Sequence, residues 1–165
     1  MRYVPGEIDE PMHLSFLWIM TRQALFLAFL LLSSAYAFRR GDQPEKIGAV
    51  TLLGGASLTV LLASPLATRF QDVEAGILVI DISIMGIFLW LSVRSTRFWP
   101  IWIASILGAE VIIHVALAIA PEVIPRAYMH GLALWGWLAQ LALVIATWRH
   151  RRRLTRLGVD ESWKS

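Results

Sequence analysis

The sequence contains no cysteine and unusually little charge. Only 16% of its 165 residues are Asp, Glu, Lys or Arg, whereas an average soluble domain has about 25%. The missing thiols exclude disulfides and thiolate-ligated metal or iron–sulfur sites. The low charge, together with 57% hydrophobic residues, excludes an ordinary soluble domain. The opening stretch, MRYVPGEIDEPMH, also lacks the basic start of a cleavable signal peptide.

Long apolar runs take the place of charge. A helix needs about 20 apolar residues to cross a hydrocarbon layer of roughly 30 Å, and we identify five such segments: Leu14–Phe38, Ile47–Leu66, Ala75–Val93, Phe98–Ala120 and Ala127–Trp148. The sequence therefore predicts an all-α integral membrane protein, a compact up-down bundle of five transmembrane helices. Residues 1–13 are a short polar segment, 14–148 the bundle, and 149–165 a basic tail.

The loop arginines and lysines are unevenly distributed. One set of loops, together with the tail, contains Arg39, Arg40, Lys46, Arg94, Arg97, Arg149, Arg151, Arg152, Arg153, Arg156 and Lys164. The opposite set contains only Arg2, Arg69 and Arg126, with Arg22 near the boundary. The positive-inside rule then predicts an outside N-terminus and a cytoplasmic C-terminus. The basic residues thus indicate topology and not a nucleic-acid partner, and the tail is expected to rest on anionic lipid head groups. The alternative for the tail is partner docking through Leu154, Leu157 and Trp163.

Small residues recur at helical spacing on two spans. In lipid, such residues let helix backbones approach closely. The predicted packing positions are Thr51, Gly55, Thr59 and Ala63 on the second span and Ala104 and Gly108 on the fourth. We expect these ridges to pack within the bundle, and homo-oligomerisation through the second span is the alternative.

Three boundary motifs carry a resemblance to known proteins. GDQPEKIGAV opens the second span, RFWPIWIAS opens the fourth, and ATWRHRRRL closes the fifth. Over residues 24 to 156 the chain resembles a group of small five-span bacterial inner-membrane proteins of uncharacterised function. The resemblance implies a bacterial inner membrane and the five-span topology, but no activity, substrate or cofactor.

A few polar residues interrupt the apolar segments. Ionisable residues at bilayer depth mark functional sites by default, and Glu110 and His114 lie one helical turn apart on one helix face. At about 1.5 Å rise per residue, the ionisable residues of four spans fall in the same, outer half of the bilayer. The predicted outer polar pocket consists of Glu110, His114, Asp81, Arg22, His130 and Gln140.

Three interpretations of this pocket remain open. In the first, Arg22 forms a structural ion pair with Asp81 or Glu110. In the second, Glu110 and His114 bind a proton, an ion or a quinone, since histidine titrates near neutral pH. In the third, His114 and His130 ligate a b-type haem, or Glu110, His114 and Asp81 hold a metal ion. No motif indicates nucleophilic catalysis.

The favoured function is that of a small accessory, interaction or structural protein of the membrane, and not an enzyme. Its expected partners are the lipid bilayer and either another membrane protein or a second copy of the chain. The favoured expectation for the cofactor is none, with haem b as the alternative.

Overall fold

In the computed structural model the chain is all-helical, as predicted. The structure describes residues 9–62, 75–119 and 125–164, with side-chain surroundings for 17–62, 76–116 and 134–164. The helices are α1 (Asp9–Arg40), α2 (Gln43–Leu62), α3 (Ala75–Arg94), α4 (Trp99–Ile119) and α5 (Pro125–Leu157). Four stretches are long and apolar enough to cross a membrane: Leu17–Arg40, Gln43–Leu62, Gly76–Arg94 and Trp99–Ala116.

The first and last helices extend furthest beyond their predicted limits. The helix α1 begins at Asp9, inside the predicted polar segment, and continues through Thr21, whose hydroxyl donates to the Leu17 carbonyl at 2.8 Å. The last helix continues past Trp148 to Leu157 because arginine and leucine favour helix and nothing in this stretch breaks it. The basic tail therefore begins as a helix. The predicted ends of the second and fourth spans lie outside the described residues.

The helices form a closed ring in chain order. Each packs on the next, α5 packs back on α1, and α2 also contacts α5. Tight connections join α1 to α2 and α3 to α4. These two connections and the C-terminal end of α5 lie at the same end of the bundle, because residues of all three are hydrogen-bonded together there. We call this the connection end.

The bundle core contains large apolar side chains from several helices. It includes Phe88 and Leu91 of α3, Ile103 of α4 and Leu143 of α5, all buried. On α4, Ala104 is also buried, and a Cβ built on Gly108 would lie 3.6 Å from the Met85 sulfur of α3. Aromatic rings join α1 to α5, where Phe26 and Phe29 lie 5.5 and 5.8 Å from Trp137 between ring centroids.

Two glycines shape the connection end. A Cβ on Gly41, between α1 and α2, would lie 2.6 Å from the Ala37 carbonyl oxygen and 2.6 Å from the Glu45 Cβ, so this corner admits no side chain. Gly158 follows α5 with φ +74°, a left-handed conformation, and its N–H donates to the Leu154 carbonyl at 3.0 Å. Such a glycine ends a helix and turns the chain back. The residues after Gly158 consequently return towards the bundle.

The small-residue ridge of α2 faces α3 in part. Thr51 and Gly55 are buried, whereas Thr59 is half-buried and Ala63 lies outside the described residues. A Cβ on Gly55 would lie 2.2 Å from the Ile84 Cδ1 of α3. Gly55 therefore lies at a close approach between the two helices.

We expect Gly55→Leu to lower the melting temperature of the purified protein in detergent. The new side chain would collide with Ile84, and overpacking typically costs about 1–3 kcal/mol. The control is Gly54→Leu, because a Cβ on Gly54 meets nothing within 4 Å. Both replacements gain the same helix propensity, so their difference isolates packing. Equal melting temperatures would show that α2 does not pack on α3 through Gly55.

Candidate functional site

A buried acid–base pair links α3 and α4. The Asp81 Oδ2 lies 3.1 Å from the His114 Nε2, and the side chains are 9% and 2% exposed, respectively. This is an ion-pair distance, although the two groups are not aligned as a hydrogen bond. We call Asp81 and His114 the interior pair. It lies among the apolar residues of two helices that are long enough to cross a membrane.

Two further residues of the predicted pocket lie in the bundle. Glu110 is half-buried, one turn before His114 on α4, and it is close enough to Asp81 for their charges to interact. Gln140 is buried on α5, and its amide oxygen and nitrogen have no hydrogen-bond partner in the described part of the chain. The structure thus brings Asp81, Glu110 and His114 together, and it places Gln140 in the interior of the neighbouring helix α5.

Arg22 does not join them. Its guanidinium lies over the Trp18 ring of its own helix, 5.4 Å from the ring centroid. Over the described residues it forms no ion pair with Asp81 or Glu110, so the ion pair expected of it is not formed. The physical reason is local: Trp18 is four residues away, on the same helix face, and an aromatic ring attracts a cation.

The two cofactor interpretations involve the histidines and acids of this region. His130, the second haem ligand considered, lies outside the described side chains. His114 is already within 3.1 Å of Asp81. No group of three or more His, Asp or Glu side chains in the described residues could hold a metal ion, so the arrangement of Glu110, His114 and Asp81 is not that of a metal site.

The most extensive polar structure lies at the connection end, and sequence reasoning did not select it. Its centre is Arg97, in the connection between α3 and α4, whose side chain is only 2% exposed. Around it are carboxylates from α2 and the tail and an imidazole from α5. We call the following residues the helix-end cluster: Asp42, Glu45, Arg97, His150, Arg153, Asp160 and Ser162.

Glu45 faces Arg97 from the start of α2. Its side chain is fully buried, and its Oε1 lies 3.5 Å from the Arg97 Nε and accepts a hydrogen bond from the Trp99 indole at 3.1 Å. Its other oxygen accepts from the Asp42 backbone N–H at 3.1 Å. A glutamate at the third helical position that returns to the residue before the helix is one half of a capping box. Glu45 thus caps α2 and neutralises Arg97 at the same time.

Asp160 faces Arg97 from the tail. Its carboxylate forms an ion pair with Arg97 and accepts from the Arg153 Nε at 2.9 Å. The His150 Nδ1 lies 2.6 Å from Asp160 and 3.1 Å from Arg97. One ring nitrogen cannot both donate and accept, and an arginine can only donate. The shorter contact therefore indicates that the His150 Nδ1–H donates to Asp160.

The tail after Gly158 is held by its backbone as well. The Thr96 N–H donates to the Ser162 carbonyl at 3.1 Å, and the Lys164 N–H donates to the Arg94 carbonyl at 3.0 Å. Two tail side chains continue to the start of α2: the Ser162 hydroxyl donates to Asp42, and the Trp163 indole donates to Gln43 at 2.6 Å. The tail is consequently bound to both tight connections of the bundle.

The structure adds a docked segment to the lipid-anchored tail expected from the arginine count, because residues 159–164 fold onto the bundle. Of the residues considered for partner docking, Leu157 is 73% exposed, whereas the Trp163 ring packs near Trp90, at 6.0 Å. Arg152, stacked over Trp148 at 5.3 Å, does point away from the bundle as an anchor would. The count of positive charges in the sequence could not distinguish exposed arginines such as Arg152 from the buried Arg97. The D-x-x-E pattern of Asp42 and Glu45 was the signal that could have indicated a buried acid.

The surroundings of Asp160 and Asp42 in the cluster stabilise the ionised form of each acid. Burial raises the pKa of Asp160, but hydrogen bonds from Arg153, His150 and Arg97 outweigh it and hold the pKa below its ordinary value. For Asp42, burial likewise raises the pKa. Hydrogen bonds from the Ser162 hydroxyl and the Gln43 backbone lower it by more, so the net shift of the pKa is downward. Both acids are therefore ionised at neutral pH, and their carboxylates bind partners within the protein.

An open cleft lies beside the cluster. It has a volume of about 450 Å³ and is lined by Thr96, Arg97, Arg153, Val159, Asp160 and Glu161. Because the charged groups at its floor already bind one another, the cluster fixes the shape of this end instead of offering a free reactive group.

Comparisons with protein-family models, with curated proteins and with solved structures yield no match to this chain. The geometry is therefore the basis for the function proposed below.

We expect Asp160→Asn to lower the melting temperature at neutral pH, because Arg97 and His150 lose a charged acceptor. Hydrogen bonds to charged groups contribute about 1.5–3 kcal/mol each. The pKa of Asp160 is lower in the folded protein than in the unfolded chain, where it is about 3.9. The wild-type advantage is therefore complete above that value and is lost as the pH falls through the folded-state pKa.

Glu161→Gln is the matched control, since Glu161 contributes its backbone carbonyl to Thr96 and its side chain is exposed. Its melting temperature should follow that of the wild type at every pH. A difference between wild type and Asp160→Asn that does not vary with pH would contradict a stabilising charge on Asp160.

Proposed function

We propose that the protein is a small integral protein of the bacterial inner membrane with five spans, and that it serves as an accessory protein that binds a membrane partner through its connection end. The membrane assignment is supported by the distribution of polarity. Large apolar side chains lie outside, as with Leu32, Val60 and Leu61 at 69%, 70% and 77% exposure, whereas His114 and Gln140 are buried. In water this arrangement would be costly, but in lipid it is the expected one.

The fifth span in this proposal is the apolar part of α5, which ends where Arg149 begins the basic stretch. Its addition to the four apolar stretches gives an odd number of crossings, which places the two ends of the chain on opposite sides. The lysines and arginines of the connection end support a cytoplasmic position for that end.

The docked tail is the observation on which the accessory function rests. A tail that only anchored to lipid head groups would need positive charge but no defined structure. Here the last residues include Asp160 and Glu161, and they are folded against α2 and the α3–α4 connection. The result is a fixed polar surface outside the apolar bundle, with Glu161 exposed on it. Such a surface suits recognition by another protein.

The topology is tested with reporter fusions. Two reporters are needed, one that is active only in the cytoplasm and one that is active only outside. The cytoplasmic reporter should be active when joined after Ser165, and the external reporter should be active when joined before Met1. Activity of the C-terminal fusion in the external compartment would overturn the orientation, and with it the cytoplasmic interaction surface.

The interaction is tested by photocrosslinking in cells. A photoreactive residue in place of Glu161 should give an adduct of discrete size, because this position lies on the docked tail. The adduct should be weakened when Asp160→Asn loosens the tail, which Ser162, Trp163 and the backbone still hold in part. The matched position is Val60, exposed on the apolar surface of α2, which should give lipid adducts only. An adduct from Glu161 that is unaffected by Asp160→Asn would separate partner binding from the docked tail.

A further inference from the structure

Three ionisable groups lie together in the apolar part of the bundle. Asp81 and His114 are 3.1 Å apart and buried. Glu110 is one turn from His114 on α4 and within charge interaction of Asp81. In the proposed orientation, at about 1.5 Å per residue, Asp81 lies on the order of 9 Å from the outer end of α3. The three groups form one electrostatic unit inside the hydrocarbon layer.

The neighbouring helices supply no fixed charge to balance this unit. Between Ile47 and Leu62, α2 has no titratable side chain, and the same holds for residues 134–148 of α5. Arg22 of α1 is engaged with Trp18. His130 lies outside the described side chains. Among the described residues, the charge of the two carboxyl groups is therefore opposed by His114 alone.

The net charge of the three groups depends on how many protons they bind. With both carboxyl groups ionised and His114 protonated, the unit has a net charge of −1. One more proton makes it neutral. A net charge in hydrocarbon is expensive, and two neighbouring carboxylates repel each other. Uptake of one proton therefore removes the net charge of the unit, and release of that proton restores it.

We propose that Asp81, Glu110 and His114 form a proton-exchange site within the bundle. The proton comes from hydronium at the aqueous surface: an O–H bond of hydronium breaks, which leaves water, and an O–H bond forms at the Glu110 carboxylate. Release reverses these steps, and no electron is transferred. The inference rests on the proposed membrane position of α3 and α4, but it does not depend on a partner at the connection end.

The test is infrared difference spectroscopy of the protein in lipid nanodiscs, titrated from mildly acidic to mildly alkaline pH. The wild type should show the carbonyl stretch of a protonated carboxyl group that disappears as the pH rises. Glu110→Gln should abolish this band, whereas Glu161→Gln, on the exposed tail, should leave it unchanged. In Asp81→Asn the midpoint should shift, because a neighbouring charge has gone. Circular dichroism verifies that each variant remains helical.

Two results would overturn the proposal: a wild-type protein without such a band, or a band that persists in Glu110→Gln. If the reporter fusions support the topology and the band is absent, the proton site fails alone and the accessory function stands. If the band behaves as expected but Glu161 gives no protein adduct, the accessory function fails and the proton site stands.

Discussion

The buried charge of Arg97 is the constraint on which the connection end depends. A guanidinium is always ionised, and removing it from water costs several kcal/mol unless opposite charges and hydrogen bonds compensate. Glu45 provides one opposite charge from α2 and Asp160 provides another from the tail. Because each acid is held in turn by other groups, the α1–α2 corner, the α3–α4 connection and the tail are fixed together. None of the three can move without exposing or isolating a charge.

The two polar groups of the molecule differ in how completely they are satisfied. In the helix-end cluster, Asp160 has Arg97, His150 and Arg153 as partners, so its ionised state is specified by the surrounding structure. The interior pair, with Glu110, has two acids and one base among the described side chains and no fixed compensating cation. A fully satisfied network rigidifies a structure, which suits a recognition surface. A unit whose neutrality requires a proton suits the proton exchange proposed for it.

The sequence was sufficient for the helices but not for the cluster. Apolar length and helix period are local properties, so the five helices could be predicted, with errors mainly at their ends. The contacts of Arg97 join residues far apart in the chain: its bond to the Asp160 carbonyl spans 63 positions, and that between Ser162 and Asp42 spans 120. No local pattern specifies such pairs. Counting arginines by loop treated Arg97 as a marker of topology, although it is a buried structural charge.

The proximity of Asp81 and His114 was easier to anticipate. Both residues were predicted in the outer half of the bilayer, and consecutive helices in a bundle are neighbours, so their positions allowed a contact between α3 and α4. Arg22 was also predicted in the outer half of the bilayer, but its guanidinium contacts the ring of Trp18 on its own helix instead of a carboxylate on another helix. Depth therefore identifies which groups can meet, whereas local competition decides which of them do.

The site that binds the tail is built from several separate elements of the bundle. The groups that bind it come from the start of α2, the α3–α4 connection and the end of α5, so its complete site exists only when these elements are in place. Docking of Asp160 gives the buried Arg97 a second carboxylate, so the loss of this acid would leave a buried charge with one partner fewer. Residues 158–164 thus stabilise the assembled arrangement of the helices, and the fixed surface at the connection end requires all of these elements together.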